Sequence, residues 1–242
     1  MSQRRNGAPS GPKDAAPAAA NDKGQDKQAR LLSTDAGHFS LVRALHMADF
    51  ITELNGLCGI MSVFSSLRYC IGDPSEHANL YLALSLIPLG LFFDFMDGKV
   101  ARWRNKASLM GQELDSLADL ISFGVGPAAA AFSMGMRTAA DHVLLSFFVL
   151  CGLTRLARFN VTVSMLPKDA SGKSQYFEGT PIPMSLGLVG VMAYWVYNGW
   201  TLENVPLGTV FTGTALELHP VAFMFVLHGC LMVSKTLHIP KP

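Results

Sequence analysis

Four aspartates stand where two apolar segments meet one basic linker. Asp94 and Asp97 close one segment, and Asp115 and Asp119 open the next. Residues 99–110 between them carry Lys99, Arg102, Arg104 and Lys106. Carboxylates inside apolar segments are costly and mark functional sites by default. At about 100° per residue, Asp94, Asp97, Gly98, Ala101 and Arg102 share an arc of roughly 140° on one helix. Gly111, Asp115 and Asp119 share about 80° on the following one. Two antiparallel neighbours therefore direct four carboxylates into one pocket. Like charges so close repel one another, and divalent cations remove the conflict. Oxygen-only ligands favour Mg or Mn over zinc. Gly98 and Ala101 leave room for a bulky ligand, and Arg102 suits a phosphate held by paired hydrogen bonds. A nucleotide diphosphate on metal ions fits that set. Solvated helix-end charge would account for one such aspartate, but not for four at these spacings with Gly, Ala and Arg interleaved.

The elements that must position them are membrane helices. Half of the 242 residues are hydrophobic and only 15% are charged, against about 25% in soluble domains. A bilayer core of roughly 30 Å takes about 20 apolar residues per helix. Segments of that kind fall at 50–71, 80–98, 112–135, 140–160, 181–199 and 216–236. The expected fold is all-α and polytopic, with about six transmembrane helices. Basic residues orient it. With both termini cytosolic, 17 of the 19 Lys and Arg lie on the cytosolic side, and only Arg68 and Arg137 lie opposite. The aspartate pocket then opens to the cytosol.

Residues 1–37 are rich in Ala, Pro, Gly, Lys, Asp and Gln, and form a disordered tail on composition. They carry no apolar core of signal-peptide length. Residues 38–49 read as a short amphipathic interfacial helix, with Leu41, Ala44, Leu45 and Ala48 on one face, or as a plain lead-in to the first span. The membrane domain then occupies 50–236, with a short tail at 237–242. The four cysteines are scattered and imply no disulfide or zinc site. His219 and His228 fit packing or interface roles. No internal repeat and no Walker or Rossmann glycine loop is visible.

The run Asp94-x2-Asp97-Gly98-x2-Ala101-Arg102-x8-Gly111-x3-Asp115-x3-Asp119 resembles the signature of the CDP-alcohol phosphotransferases at every fixed position. The resemblance implies six transmembrane helices, a homodimer, and two metal ions on Asp94, Asp97, Asp115 and Asp119. It implies Asp119 as general base, with Gly98, Ala101, Arg102, Ser108 and Gly111 lining the CDP portion. Asn55, in Thr52-x2-Asn55, looks like the family's contact on the nucleotide side; a packing contact is the other reading.

Within the family, three stretches are similar to the eukaryotic, fungal-type phosphatidylserine synthases. They are Asp115-Ser-Leu-Ala-Asp119 through Gly124 and Pro127, Arg155-Leu-Ala-Arg158-Phe159-Asn160-Val161, and Phe177-Glu-Gly179-Thr180-Pro181-Ile182-Pro183. That similarity implies CDP-diacylglycerol and L-serine as substrates, and the endoplasmic reticulum membrane as location. Arg155 and Arg158 are candidates for serine's carboxylate, and positive-inside anchoring is their alternative role. Phe159 either shapes the pocket or anchors a helix end. Gly179–Pro183 reads as a rigid lead-in to the fifth span. Inositol or glycerol 3-phosphate as acceptor is the nearest alternative chemistry. A divalent-cation transporter is the alternative of another class, but its carboxylates belong near the bilayer midplane, not beside a basic linker.

Overall fold

The computed structural model describes residues 47–104, 109–165, 176–214, 216–234 and 238–240. Contacts divide the chain into Met1–Ala44 and Leu45–Pro242, and every described residue belongs to the second unit. The expected tail at 1–37, positions 38–46 of the expected interfacial helix, and Ser108 lie outside the described residues.

Helix α1 runs Met47–Ile71 and α2 runs Ala78–Arg104. Helix α3, Leu109–Asp119, continues through a π-helical turn, Leu120–Val125, into α4, Gly126–Met134. Helix α5 runs Ala139–Met165. Strand β1, Tyr176–Glu178, precedes a 3-10 turn, Ile182–Ser185, and helix α6, Leu186–Tyr197. Helix α7, Phe223–Val233, is followed by strand β2, His238–Pro240. The strands pair antiparallel, Phe177 opposite Ile239. Only β2 falls in the expected tail at 237–242; this short ribbon and a single antiparallel bridge between Val210 and Leu218 are the departures from an all-α architecture among the described residues.

Four helical stretches are long and apolar enough to cross a bilayer: Ala48–Ile71, Ala78–Val100, Met110–Met134 and Ala139–Val161. Each matches an expected span within a few residues. The last two expected spans, 181–199 and 216–236, are shorter in the structure, at Ile182–Tyr197 and Pro220–Val233. Local chemistry trims both. Pro181 is extended (ψ 145°) and opens a 3-10 turn instead of a helix. Gly199 takes φ +70° just past α6, where Asn198 Nδ2 donates to the Tyr194 carbonyl at 2.8 Å. Pro220 again sets a 3-10 start before α7. Met47–Asp49 are the first turn of α1, so the helix expected to end at Asp49 runs unbroken into the first span.

Packing centres on α1 against α2, with α3, the π turn and α4 laid across α1, and α5 paired with α7. The apolar core includes Leu80, Ile87, Phe123, Met134, Phe148 and Phe225, all 2% exposed or less. At the end of the bundle remote from the aspartates, Asp141 closes a buried polar joint. It accepts from the His219 backbone N–H at 2.9 Å and meets His219 Nδ1 at 2.6 Å. His219 thus has the packing role expected of it. In the α1–α2 loop, Asp73 accepts from the Ser75 N–H and hydroxyl at 2.9 and 2.8 Å. Those bonds hold its carboxyl below the usual range.

Candidate active site

Close approach of three helices builds the site. Asn55, Gly56 and Gly59 form a small-residue stripe on α1 that meets Ala118 and Ser122 of the third span. A Cβ on Gly56 would sit 3.7 Å from the Ala118 Cβ, and one on Gly59 would fall 2.7 Å from Ser122 Oγ. Glycine at 59 is therefore what lets the helices touch. Ser122 Oγ uses the contact to donate to the Asn55 backbone carbonyl at 2.8 Å. Helix α2 closes the triangle at Gly90, where a Cβ would come 2.8 Å from Asn55 Oδ1.

Asn55 is thereby wholly buried between these helices; its Nδ2 donates to Asp119 Oδ1 at 3.1 Å, and its Oδ1, facing Gly90, has no hydrogen-bond partner. One turn earlier on α1, Thr52 donates to Asp97 Oδ2 at 2.6 Å. Thr52 and Asn55 thus reach the two most buried of the four motif carboxylates, Asp97 and Asp119. Asp94 stands close enough to both Asp115 and Asp119 to interact with each. All four aspartates of the motif converge, as the helical spacing requires.

Their arrangement is uneven. One carboxylate oxygen each from Asp94, Asp97 and Asp115 lies within 4.8 Å of the others. Asp119 sits beside this trio, held by Asn55. Asp115 Oδ1 is buried without a hydrogen-bond partner. An orphaned buried carboxylate oxygen next to two more carboxylates fits a divalent cation bound by oxygen. The residues present therefore suit the metal chemistry that the motif implies.

Asp119 is also the last residue before the π turn. Pro127 has no N–H to give the Phe123 carbonyl, and the Gly126 N–H bonds to the Ile121 carbonyl, a five-residue step. Such turns are common at functional sites because they re-aim the side chains next to them. On the other flank, α5 is joined to α3 through Asn160. It donates to Glu113 Oε2 at 3.0 Å and accepts from Ser116 Oγ at 3.1 Å. That joint sets Arg155, one and a half turns back on α5, in electrostatic reach of Asp119. Arg155 is 8% exposed and its Nε has no hydrogen-bond partner.

Other expected site residues lie nearer the surface. Arg158 is half-buried and Phe159 is exposed, outside the buried set. Gly98 and Gly111 are half-buried. Ala101 and Arg102 continue α2 beyond Asp97.

A family model described as CDP-alcohol phosphatidyltransferase matches residues 45–229, a span that contains every residue of this constellation. The chain belongs to that family. The CDP-diacylglycerol–serine O-phosphatidyltransferase of Saccharomyces cerevisiae is 56% identical over 211 residues, covering 87% of this chain and 76% of the relative. The enzyme of the same name from Bacillus subtilis is 37% identical over 150 residues, 61% of this chain and 75% of its own. The archaetidylserine synthase of Methanothermobacter thermautotrophicus is 34% identical over 142 residues, 57% of this chain and 54% of its own.

Sequence reasoning passed over two features of this family site. Asp49, buried at the start of α1, acts electrostatically on Asp97, yet it looked like part of a separate surface helix. Gly90 carries no chemistry, and only the crossing of α2 over Asn55 reveals its use. A Gly90→Ala variant must displace the Asn55 amide and with it Asp119. A misplacement of that order lowers turnover by about tenfold to a hundredfold. Gly190→Ala, where a Cβ meets nothing within 4 Å, leaves turnover at the wild-type level. Rates of CMP release from the two variants check this.

Proposed function

We propose that this protein is a CDP-diacylglycerol–serine O-phosphatidyltransferase, forming phosphatidylserine and CMP. The observation that carries the reading is the 56% identity to the yeast enzyme of that name across most of the chain. The carboxylate cluster lies inside the shared family region. Relatives named for serine come with two different lipid parts, phosphatidyl and archaetidyl. A common acceptor with a variable lipid supports serine over inositol or glycerol 3-phosphate.

In the mechanism proposed, Asp94, Asp97, Asp115 and Asp119 would hold two divalent cations, Mg or Mn. When bound, such ions neutralise diphosphate charge and stabilise the leaving phosphate. The residues do the rest. Thr52 holds the Asp97 carboxylate in one rotamer through its 2.6 Å bond. Asn55 fixes Asp119 from behind and acts on the nucleotide side through that carboxylate, not by direct contact alone. Asp119 accepts the proton of the serine hydroxyl as its oxygen attacks the phosphorus bearing diacylglycerol. The bond from that phosphorus to the CMP oxygen breaks, and CMP leaves. Gly98, Ala101, Arg102, Ser108 and Gly111 receive the CMP portion. Arg155, buried beside Asp119, pairs with the serine carboxylate; Arg158 and Phe159 flank it at the mouth of the pocket. Positioning and electrostatics supply most of the rate, as in phosphoryl transfer generally.

The pocket faces the cytosol in this reading, in an endoplasmic reticulum membrane, and the chain pairs as a homodimer. Soluble serine and CMP then exchange freely while acyl chains stay in lipid. The support is the division of basic residues and the family resemblance. Ala107→Cys should react with impermeant thiol reagents from the cytosolic side of sealed vesicles; reaction from the lumen alone would invert the orientation. Function is tested with purified protein in mixed micelles, CDP-diacylglycerol and a panel of alcohols. Serine should drive CMP release, stopped by EDTA and restored by Mg or Mn. Release driven by inositol or glycerol 3-phosphate instead would replace the acceptor.

A further inference from the structure

Two buried polar groups on neighbouring elements lack hydrogen-bond partners: Thr180 Oγ1 and Arg155 Nε. Thr180 is 5% exposed and Arg155 is 8% exposed. Leaving a buried hydroxyl unsatisfied carries a desolvation cost, so such groups in a folded protein call for an occupant. Valine would fill the same place without that cost.

The segment bearing Thr180 is rigidly held. Its backbone N–H donates to the Leu231 carbonyl at 3.2 Å near the end of α7. The preceding Gly179 has φ +75°, and a Cβ there would overlap the Met232 carbonyl. Ribbon β1–β2 fastens the segment from one side. On the other side Ile182 packs its side chain over Gly152 and Gly124, where the Leu120 side chain also lies. Leu120 follows Asp119 directly, and Gly152 is one turn before Arg155. The turn that presents Thr180 is thus pinned to the two helices that carry the base and the buried arginine.

We infer that Thr180 is a specificity-determining residue, whose hydroxyl bonds the zwitterionic end of the acceptor beside Arg155. A hydroxyl can donate to a carboxylate or accept from an ammonium group, and a free amino acid offers both. The inference rests on serine being the acceptor. It gives residues 179–182 a part in binding, beyond that of a lead-in to α6.

Steady-state kinetics of Thr180→Val, with thermal unfolding in detergent alongside, test it. Loss of one hydrogen bond to a charged group raises the KM for serine by about tenfold to a hundredfold. The KM for CDP-diacylglycerol stays within about threefold, and the unfolding temperature is unchanged or higher, since an unsatisfied buried hydroxyl has gone. Thr180→Ser keeps the hydroxyl and restores the serine KM. Thr180→Ala repeats the split if the valine does not fit. An unchanged serine KM in the folded variants, or equal rises for both substrates, overturns the inference. Wild-type protein that releases no CMP with serine would instead overturn the acceptor assignment on which it rests.

Discussion

Asp119→Asn should all but abolish transfer while the protein still binds CDP-diacylglycerol. The amide keeps the shape of the side chain and its place beside Asn55, but it cannot take the proton from serine. Loss of a positioned general base costs about a hundredfold to ten-thousandfold. Binding survives in part because Asp94, Asp97 and Asp115 form the closer trio, with one oxygen each inside 4.8 Å. Asp94→Asn or Asp97→Asn should weaken metal and nucleotide binding as well as turnover. Initial rates of CMP release, with CDP-lipid binding measured separately, distinguish the two classes. Substantial turnover by Asp119→Asn would rule out its role as base.

Arg155→Ala should raise the serine requirement by orders of magnitude. Breaking one side of a buried ion pair costs about 3–5 kcal/mol, which corresponds to about two to three and a half powers of ten in apparent affinity. The KM for CDP-diacylglycerol should change little. Arg158→Ala, at a half-buried position, should give the smaller effect of the two. Arg102→Ala should show the converse, weakening the CDP-lipid and sparing serine. Varying each substrate in turn across the three variants decides the assignment. An unchanged serine dependence in Arg155→Ala would remove it from the acceptor site and leave the family chemistry intact.

The acidic site was legible because intramembrane carboxylates are rare and their spacing maps directly onto helix faces. Asp94, Asp97, Asp115 and Asp119 needed only two antiparallel helices to meet. The residues that hold them were harder to read. Asn55 was singled out as a nucleotide contact, and its bond to Asp119 depends on a crossing between α1 and the third span that no local pattern encodes. In sequence Arg158 is the first candidate for the acceptor's carboxylate and Arg155 the reserve, an order that burial reverses. Burial separates them, because the Asn160 joint to Glu113 and Ser116 turns α5 so that Arg155 faces inward.

Hydropathy located all six apolar segments but overran the last two. Averaging over a window blurs the proline and glycine signals at Pro181, Gly199 and Pro220, which trim Ile182–Tyr197 and Pro220–Val233. The π turn after Asp119 was invisible for a related reason. Leu120–Val125 has the composition of any apolar helix, and only the missing N–H of Pro127 hints at a wider turn.

The central claim is that the serine hydroxyl attacks the phosphorus carrying diacylglycerol, with CMP as leaving group. Serine carrying heavy oxygen in its hydroxyl tests this directly when the products are resolved by mass spectrometry. The label should appear in the phosphodiester of phosphatidylserine, with unlabelled CMP formed in equal amount. Labelled CMP-serine accompanied by phosphatidic acid would place the attack on the other phosphorus and contradict the account.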